Sequence, residues 1–172
     1  PAANGLLYRL QQAGGFLPRF EVADIVGRLT DRDRRGLSRM GVKLGFHSVF
    51  SAAMLKPAIR DGVVGLWRVL TGTEPAAPPA GAVSCPLLAP PRFYTTVGFL
   101  PLGPRAVRVD MVERLDAHLR KITRRGVAPL PTQATSWVGC SVSDLAGICR
   151  ALGYEVFGEE TVRIRRPRRR RR

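Results

Sequence analysis

Lysine, cysteine and histidine are all scarce in this chain of 172 residues. The lysines are Lys43, Lys56 and Lys121, the cysteines Cys85, Cys140 and Cys149, and the histidines His47 and His118. An odd number of cysteines with no CxxC spacing gives neither a disulfide framework nor a zinc-ligand pattern. A reducing compartment, the cytoplasm, is the natural setting. No apolar run approaches the ~18 residues of a membrane span, so no membrane partner is expected. The motifs GxxxxGKS/T, DExH, DEAD, GxSxG, HExxH and GxGxxG are all missing. Their absence removes the phosphate-cradling loop, the acidic box that holds Mg²⁺, the nucleophile elbow, the zinc helix and the dinucleotide fingerprint. Neither histidine has a serine or cysteine at motif spacing. His47 lies in an apolar stretch and reads as a packed residue, His118 as a solvated one, and Cys140 and Cys149 as small packing residues. The expectation is a region with no catalytic residue, no metal and no cofactor of its own. Pro1 in place of Met reads as the start of a fragment whose N-terminus lies upstream.

What the sequence has is arginine. Lys and Arg total 28 against 13 acids, a formal charge of +15. Residues 163–172 hold eight arginines and no acid, and removing those eight from +15 leaves +7 for the body. A balance of this sign favours polyanions, because cationic side chains neutralise phosphates and release their counterions. Three groups stand out. The first is Arg28, Arg32, Arg34, Arg35, Arg39 and Lys43, which cover much of one helix side as a phosphate-tracking surface or a plain solvated face. The second is Arg120, Lys121, Arg124 and Arg125 at a helix C-terminus, where the macrodipole already favours cations and a structural reading suffices. The third is the tail: Arg163, Arg165, Arg166, Arg168, Arg169, Arg170, Arg171 and Arg172. With Pro167 inside it, this segment reads as a disordered cationic arm whose guanidiniums fork onto phosphates without regard to sequence.

The apolar residues order the rest. Residues 1–72 read as a helical accessory domain. Leu6, Leu7 and Leu10 form a short stripe stopped at Gly14-Gly15, and Val22, Ile25, Val26 and Leu29 share one helix face. Thr30 is a candidate cap with Asp31 and Asp33 in the first turn. Pro57 suits a first helical position, before a stripe of Ile59, Val63, Leu66, Trp67 and Leu70, with Gly72 as the stop. Residues 73–82, with three prolines and no bulky apolar side chain, read as a linker. Residues 83–165 read as a small α+β unit. Arg105 to Val109 alternate like a strand. Asp110 and Glu113 have capping-box spacing ahead of a helix with Val112, Leu115, Leu119 and Ile122 inside. Ser141 or Ser143 caps a helix with Leu145, Ile148 and Leu152 inside. Residues 154–157 and 161–164 read as a hairpin. Strand, helix, helix, turn, helix and hairpin is the order of a winged helix-turn-helix. The expected fold is therefore mainly α (α+β): an N-terminal helical bundle, a winged-helix-like module with a C-terminal hairpin, and a disordered basic tail at 166–172.

The helix over 143–152 argues against base reading. Its outward positions are Asp144, Gly147, Arg150 and Ala151, and Arg150 alone can bond a base edge. A sequence-specific reader normally offers several Arg, Asn or Gln there.

Three blocks carry a resemblance. They are residues 41–50 (GVKLGFHSVF) running on to Met54-Leu55-Lys56-Pro57, then Gly98-Phe99 with residues 103–115, and then Gly139-Cys140-Ser141, residues 144–147 and residues 151–154. In this order they resemble the segment that follows the motor domains of bacterial superfamily-two (DExH-type) helicases related to the RNA helicase of the mitochondrial degradosome. The resemblance runs through most of residues 5–157 and implies a C-terminal accessory region. In such proteins ATP and Mg²⁺ are held by motor domains outside this sequence. The implied role is to hold or guide single-stranded RNA, or DNA, beside the motor. Its implied partners are the upstream motor domains and a nuclease. The competing expectation is a scaffolding module that docks on the motor or the nuclease, through the Gly-rich apolar stretch at 41–55.

Overall fold

The computed structural model describes residues 1–158 and 163–166. The chain is a mixed α+β protein that divides into two compact units. One comprises Pro1–Ala77 with Arg92–Gly98, and the other Pro78–Pro91 with the chain from Phe99 onward.

In the first unit, α1 (Ala2–Gln12) leads into β1 (Phe16–Pro18), a 3-10 turn, α2 (Ala23–Gly27), α3 (Asp31–Arg39), β2 (Val42–Leu44), β3 (Ser48–Ser51) and α4 (Pro57–Thr71). The three strands form an antiparallel sheet in the order β1-β3-β2, with Leu17 opposite Val49 and Val49 opposite Leu44. This row faces a core of Leu6, Leu10, Val22, Val26, Leu29 and Leu37. The all-helical bundle expected here is therefore corrected. Gly41 takes φ +79°, which ends α3 and turns the chain into a strand. Val42-Lys43-Leu44 alternates, and Ser48-Val49-Phe50 is buried throughout. Gly45 N–H donates to the Ser48 carbonyl at 2.8 Å and closes the loop between the two strands. Such segments are too short to support a helix of their own.

Helix α4 starts at Pro57 and stops at Gly72, as the sequence suggests, but it has no buried residue. Ile59, Leu66 and Leu70 are exposed, and Val63 and Trp67 are half-buried. The Trp67 ring meets Phe93 edge-on, with centroids 5.3 Å apart. Phe93 lies in α5 (Pro91–Thr96), whose Phe93 and Tyr94 are fully buried. These two aromatics, with Val97, explain why residues 92–98 belong to the first unit although they lie inside the stretch expected to form the second.

The second unit holds two three-stranded antiparallel sheets. β4 (Ser84–Pro86), β5 (Phe99–Leu102) and β6 (Arg105–Arg108) pair in the order β4-β6-β5. Then come α6 (Val109–Ile122), β7 (Ala128–Pro129), α7 (Ala134–Val138), α8 (Val142–Ala151), β8 (Glu155–Phe157) and β9 (Arg163–Arg165), with strand order β7-β9-β8. Val112, Leu115 and Leu119 of α6 meet Ala134 and Val138 of α7, Leu145, Ile148 and Cys149 of α8, and Ile164 of β9 in one core. Ser141 caps α8, its hydroxyl accepting from Asp144 N–H at 3.0 Å. The capping box expected at Asp110 and Glu113 does not form. The helix begins two residues earlier, Arg108 is its N-cap, and Asp110 takes the Arg108 guanidinium with both oxygens, at 2.7 and 2.9 Å. His118, expected to be solvated, is half-buried edge-on to Trp137.

Candidate nucleic-acid interface

The N-terminus of α3 is fixed by a reciprocal capping box. Thr30 Oγ1 accepts from Asp33 N–H at 3.2 Å, and Asp33 Oδ2 accepts from Thr30 N–H at 3.0 Å and from its hydroxyl at 2.7 Å. These bonds, that of the Thr30 hydroxyl first, hold the Asp33 carboxyl below its ordinary value of 3.8. Beyond this cap, Arg32, Arg35 and Arg39 fall at i, i+3 and i+7, one face of the helix. They line a groove of about 540 Å³ against Ala3, Asn4 and Leu7 of α1. Gly36 lies within the stripe, and a Cβ there would meet nothing within 4 Å, so the groove floor is open. Among the described residues, the guanidiniums of Arg35 and Arg39 make neither a hydrogen bond nor an ion pair. Asp33, the acid in the groove wall, is already engaged by Thr30.

The other cations of that group are placed differently. Arg34 donates to the Val26 carbonyl at 2.8 Å, which satisfies the end of α2 and fixes α3 against it. Arg28 pairs with Asp24 at 3.1 Å on an exposed surface, an interaction of little energy. Lys43 is exposed on β2, opposite Phe50 of β3. The structure therefore gathers three of the six cations into one groove and gives Arg34 a structural task.

In the second unit, Arg150 is exposed near the end of α8. Arg163 and Arg166 are exposed, and Arg165 is paired with Glu155 across the strands. Arg168, Arg169, Arg170, Arg171 and Arg172 lie outside the described residues. Of the cations at the α6 C-terminus, Arg120 is taken up by an ion pair with Asp116.

Asp116 is the polar residue that sequence reasoning missed. It is fully buried, and it accepts the Tyr154 hydroxyl at 2.7 Å as well as the Arg120 guanidinium. Burial, then the bond to Asp116, raises the Tyr154 phenol above its ordinary value of 10.0. A signal was present. Val112, Leu115, Asp116 and Leu119 read i, i+3, i+4 and i+7, which sets a carboxylate inside the apolar stripe with an arginine four residues on. Phe157, 41% exposed on β8, and Trp137, under the Arg114 guanidinium at 4.7 Å, were also missed.

The cysteines are unbonded, and burial raises all three thiols, Cys149 to about 12. Among the described residues, no group of three or more His, Cys, Asp or Glu could hold a metal ion, and no helix is long and apolar enough to cross a membrane. Compared with known proteins, the chain matches no family model, and no curated protein or solved structure gives a significant match.

Proposed function

We propose that this chain is a non-catalytic nucleic-acid-binding region that holds or guides single-stranded RNA beside the motor domains of a larger, cytoplasmic, ATP-dependent helicase. The observation that carries the reading is the α1–α3 groove. It sets Arg32, Arg35 and Arg39 along one open face, while the acid beside them is engaged in the cap. Planar guanidiniums at this spacing suit successive phosphates of a strand and carry no base information. The basic tail, including Arg168 to Arg172, adds a second cationic element to the same reading.

The second unit supports an accessory role. Helix α6, strand β7, helices α7 and α8 and the β8–β9 pair, with β9 central in its sheet, follow the order of a winged helix-turn-helix. The resemblance to helicase C-terminal regions supplies the motor. ATP and Mg²⁺ belong to that motor, whose residues are not in this sequence.

Fluorescence anisotropy with a labelled single-stranded RNA tests the reading. Replacing Arg32, Arg35 and Arg39 with Ala should weaken binding alike for every sequence. It should also flatten the log–log salt slope by roughly 2, at about 0.7 per phosphate released. An unchanged slope and affinity would remove the groove from the interface.

A second reading is favoured by α4, where Leu66, Val69 and Leu70 are 57%, 81% and 74% exposed. An apolar helix face of this kind suits docking on a protein, here the motor or a nuclease. Serine at those three positions would then break the complex and leave RNA affinity intact.

A further inference from the structure

The helix that a winged helix-turn-helix would lay into a DNA groove is covered within its own unit. The outward face of α8 centres on Gly147, and the turn between β5 and β6 is packed on it. A Cβ at Gly147 would lie 2.8 Å from Pro104 Cδ and 3.1 Å from Pro104 Cγ, both atoms of a rigid ring. From the other side, a Cβ at Gly103 would lie 3.0 Å from the Gly147 carbonyl oxygen, and Gly103 itself takes φ +58°. Both positions therefore require glycine, and the contact they permit is backbone against backbone. Arg105 ties the two elements together. It donates to the Ser84 hydroxyl at 3.0 Å and to Asp144 of α8 at 3.4 Å, and the Ser84 hydroxyl donates in turn to the Gly139 carbonyl at 3.0 Å. A duplex groove cannot receive a helix face already filled in this way.

Among the described residues, the outer face of the β7-β9-β8 sheet is open. Ala128, Ile164 and Val156 form the row that faces the core. The next row, Pro129, Arg163 and Phe157, runs across all three strands, and every member is exposed. The neighbouring pair on the same face, Glu155 and Arg165, cancels its own charge. What the face presents is an aromatic ring at 41% exposure with Arg163 opposite it on the central strand. An aromatic beside an arginine on an open sheet stacks an unpaired base and holds its phosphate, and it offers nothing to a paired one.

We propose that the second unit binds single-stranded nucleic acid on the outer face of the β7-β9-β8 sheet, with Phe157 stacking a base and Arg163 holding the adjacent phosphate, while α8 is withheld from duplex DNA by the β5–β6 turn. The proposal rests on the nucleic-acid reading above but uses a surface separate from the α1–α3 groove.

The test uses the full chain with a labelled single-stranded oligonucleotide and a duplex of the same length. Phe157→Ala should cost roughly 5- to 100-fold in single-strand affinity. Phe157→Trp should retain binding and add fluorescence quenching on titration, which a structural role would not produce. Arg163→Ala should flatten the salt slope by about 0.7. Arg150→Ala should change nothing, and the duplex should bind more weakly than the single strand. Circular dichroism of each variant checks that the fold is kept. The proposal is overturned if Phe157→Ala binds like the parent chain and Phe157→Trp is not quenched, or if the duplex is preferred and Arg150→Ala loses it. If the groove variant loses affinity and Phe157→Ala does not, this inference falls and the function reading stands. If the parent chain binds no nucleic acid, both fall.

Discussion

Replacing Asp116 with Ala should destabilise the second unit by roughly 1–4 kcal/mol. The figure comes from what the carboxylate holds. The Tyr154 hydroxyl, bonded to it at 2.7 Å, sits on a buried residue, and orphaning such a group costs about 1–3 kcal/mol. The Arg120 guanidinium is 28% exposed and can turn to water, so its loss adds no more than about 1 kcal/mol. For a chain of this length each kcal/mol moves the midpoint by about 2–4 °C, so thermal denaturation should shift down by roughly 2–16 °C. Tyr154→Phe removes the donor and leaves the Arg120 pair, and it should cost less. The pair also sets an alkaline limit. Because the folded phenol titrates above 10.0, its contribution is complete below pH 10 and is lost as pH rises through the raised value. Denaturation of the three chains by urea at pH 7 and above pH 10 measures both effects. A parent and an Asp116→Ala chain that unfold within about 0.5 kcal/mol of each other would refute the reasoning, because a buried carboxylate with these partners cannot be removed silently.

Two further outcomes follow from protonation. Cys149, with its thiol pushed up to about 12 by burial, should resist alkylation at pH 8 in the folded chain and react once guanidinium unfolds it, as read by mass spectrometry; equal labelling in both states would place it at the surface. The Asp33 carboxyl should titrate below 3.8 by NMR and return toward that value in Thr30→Ala. Since the folded value is depressed, the capping contribution is present above pH 4 and disappears as pH falls through the folded value.

The elements read best from sequence were those whose signals are local. The Thr30 cap, the Pro57 start and the Gly72 stop are each settled by neighbours within four residues, and of the two serines offered as the α8 cap the structure uses Ser141. The sheet of the first unit was not legible. Leu17 pairs with Val49 thirty-two positions away, and strands of three and four residues leave no period to count. The α4 stripe misled for a related reason: periodicity shows that a face is apolar, not that anything covers it. Among the arginines, spacing alone could not separate Arg34, which is drawn to the Val26 carbonyl, from Arg35, which is left to the groove, although the two are adjacent. The cover over α8 was least accessible of all. It depends on Gly103 and Gly147 meeting across forty-four positions, and in sequence Gly147 shows only as a helix position without a side chain.

The central claim is that arginines of this chain neutralise the phosphates of a single strand, and the salt dependence of binding measures that directly. With the three groove arginines and about four of the tail engaged, the affinity for single-stranded RNA should fall with salt at a log–log slope near −5, at about 0.7 per phosphate. A chain that fails to bind at low salt, or one whose affinity is flat across the titration, would contradict it.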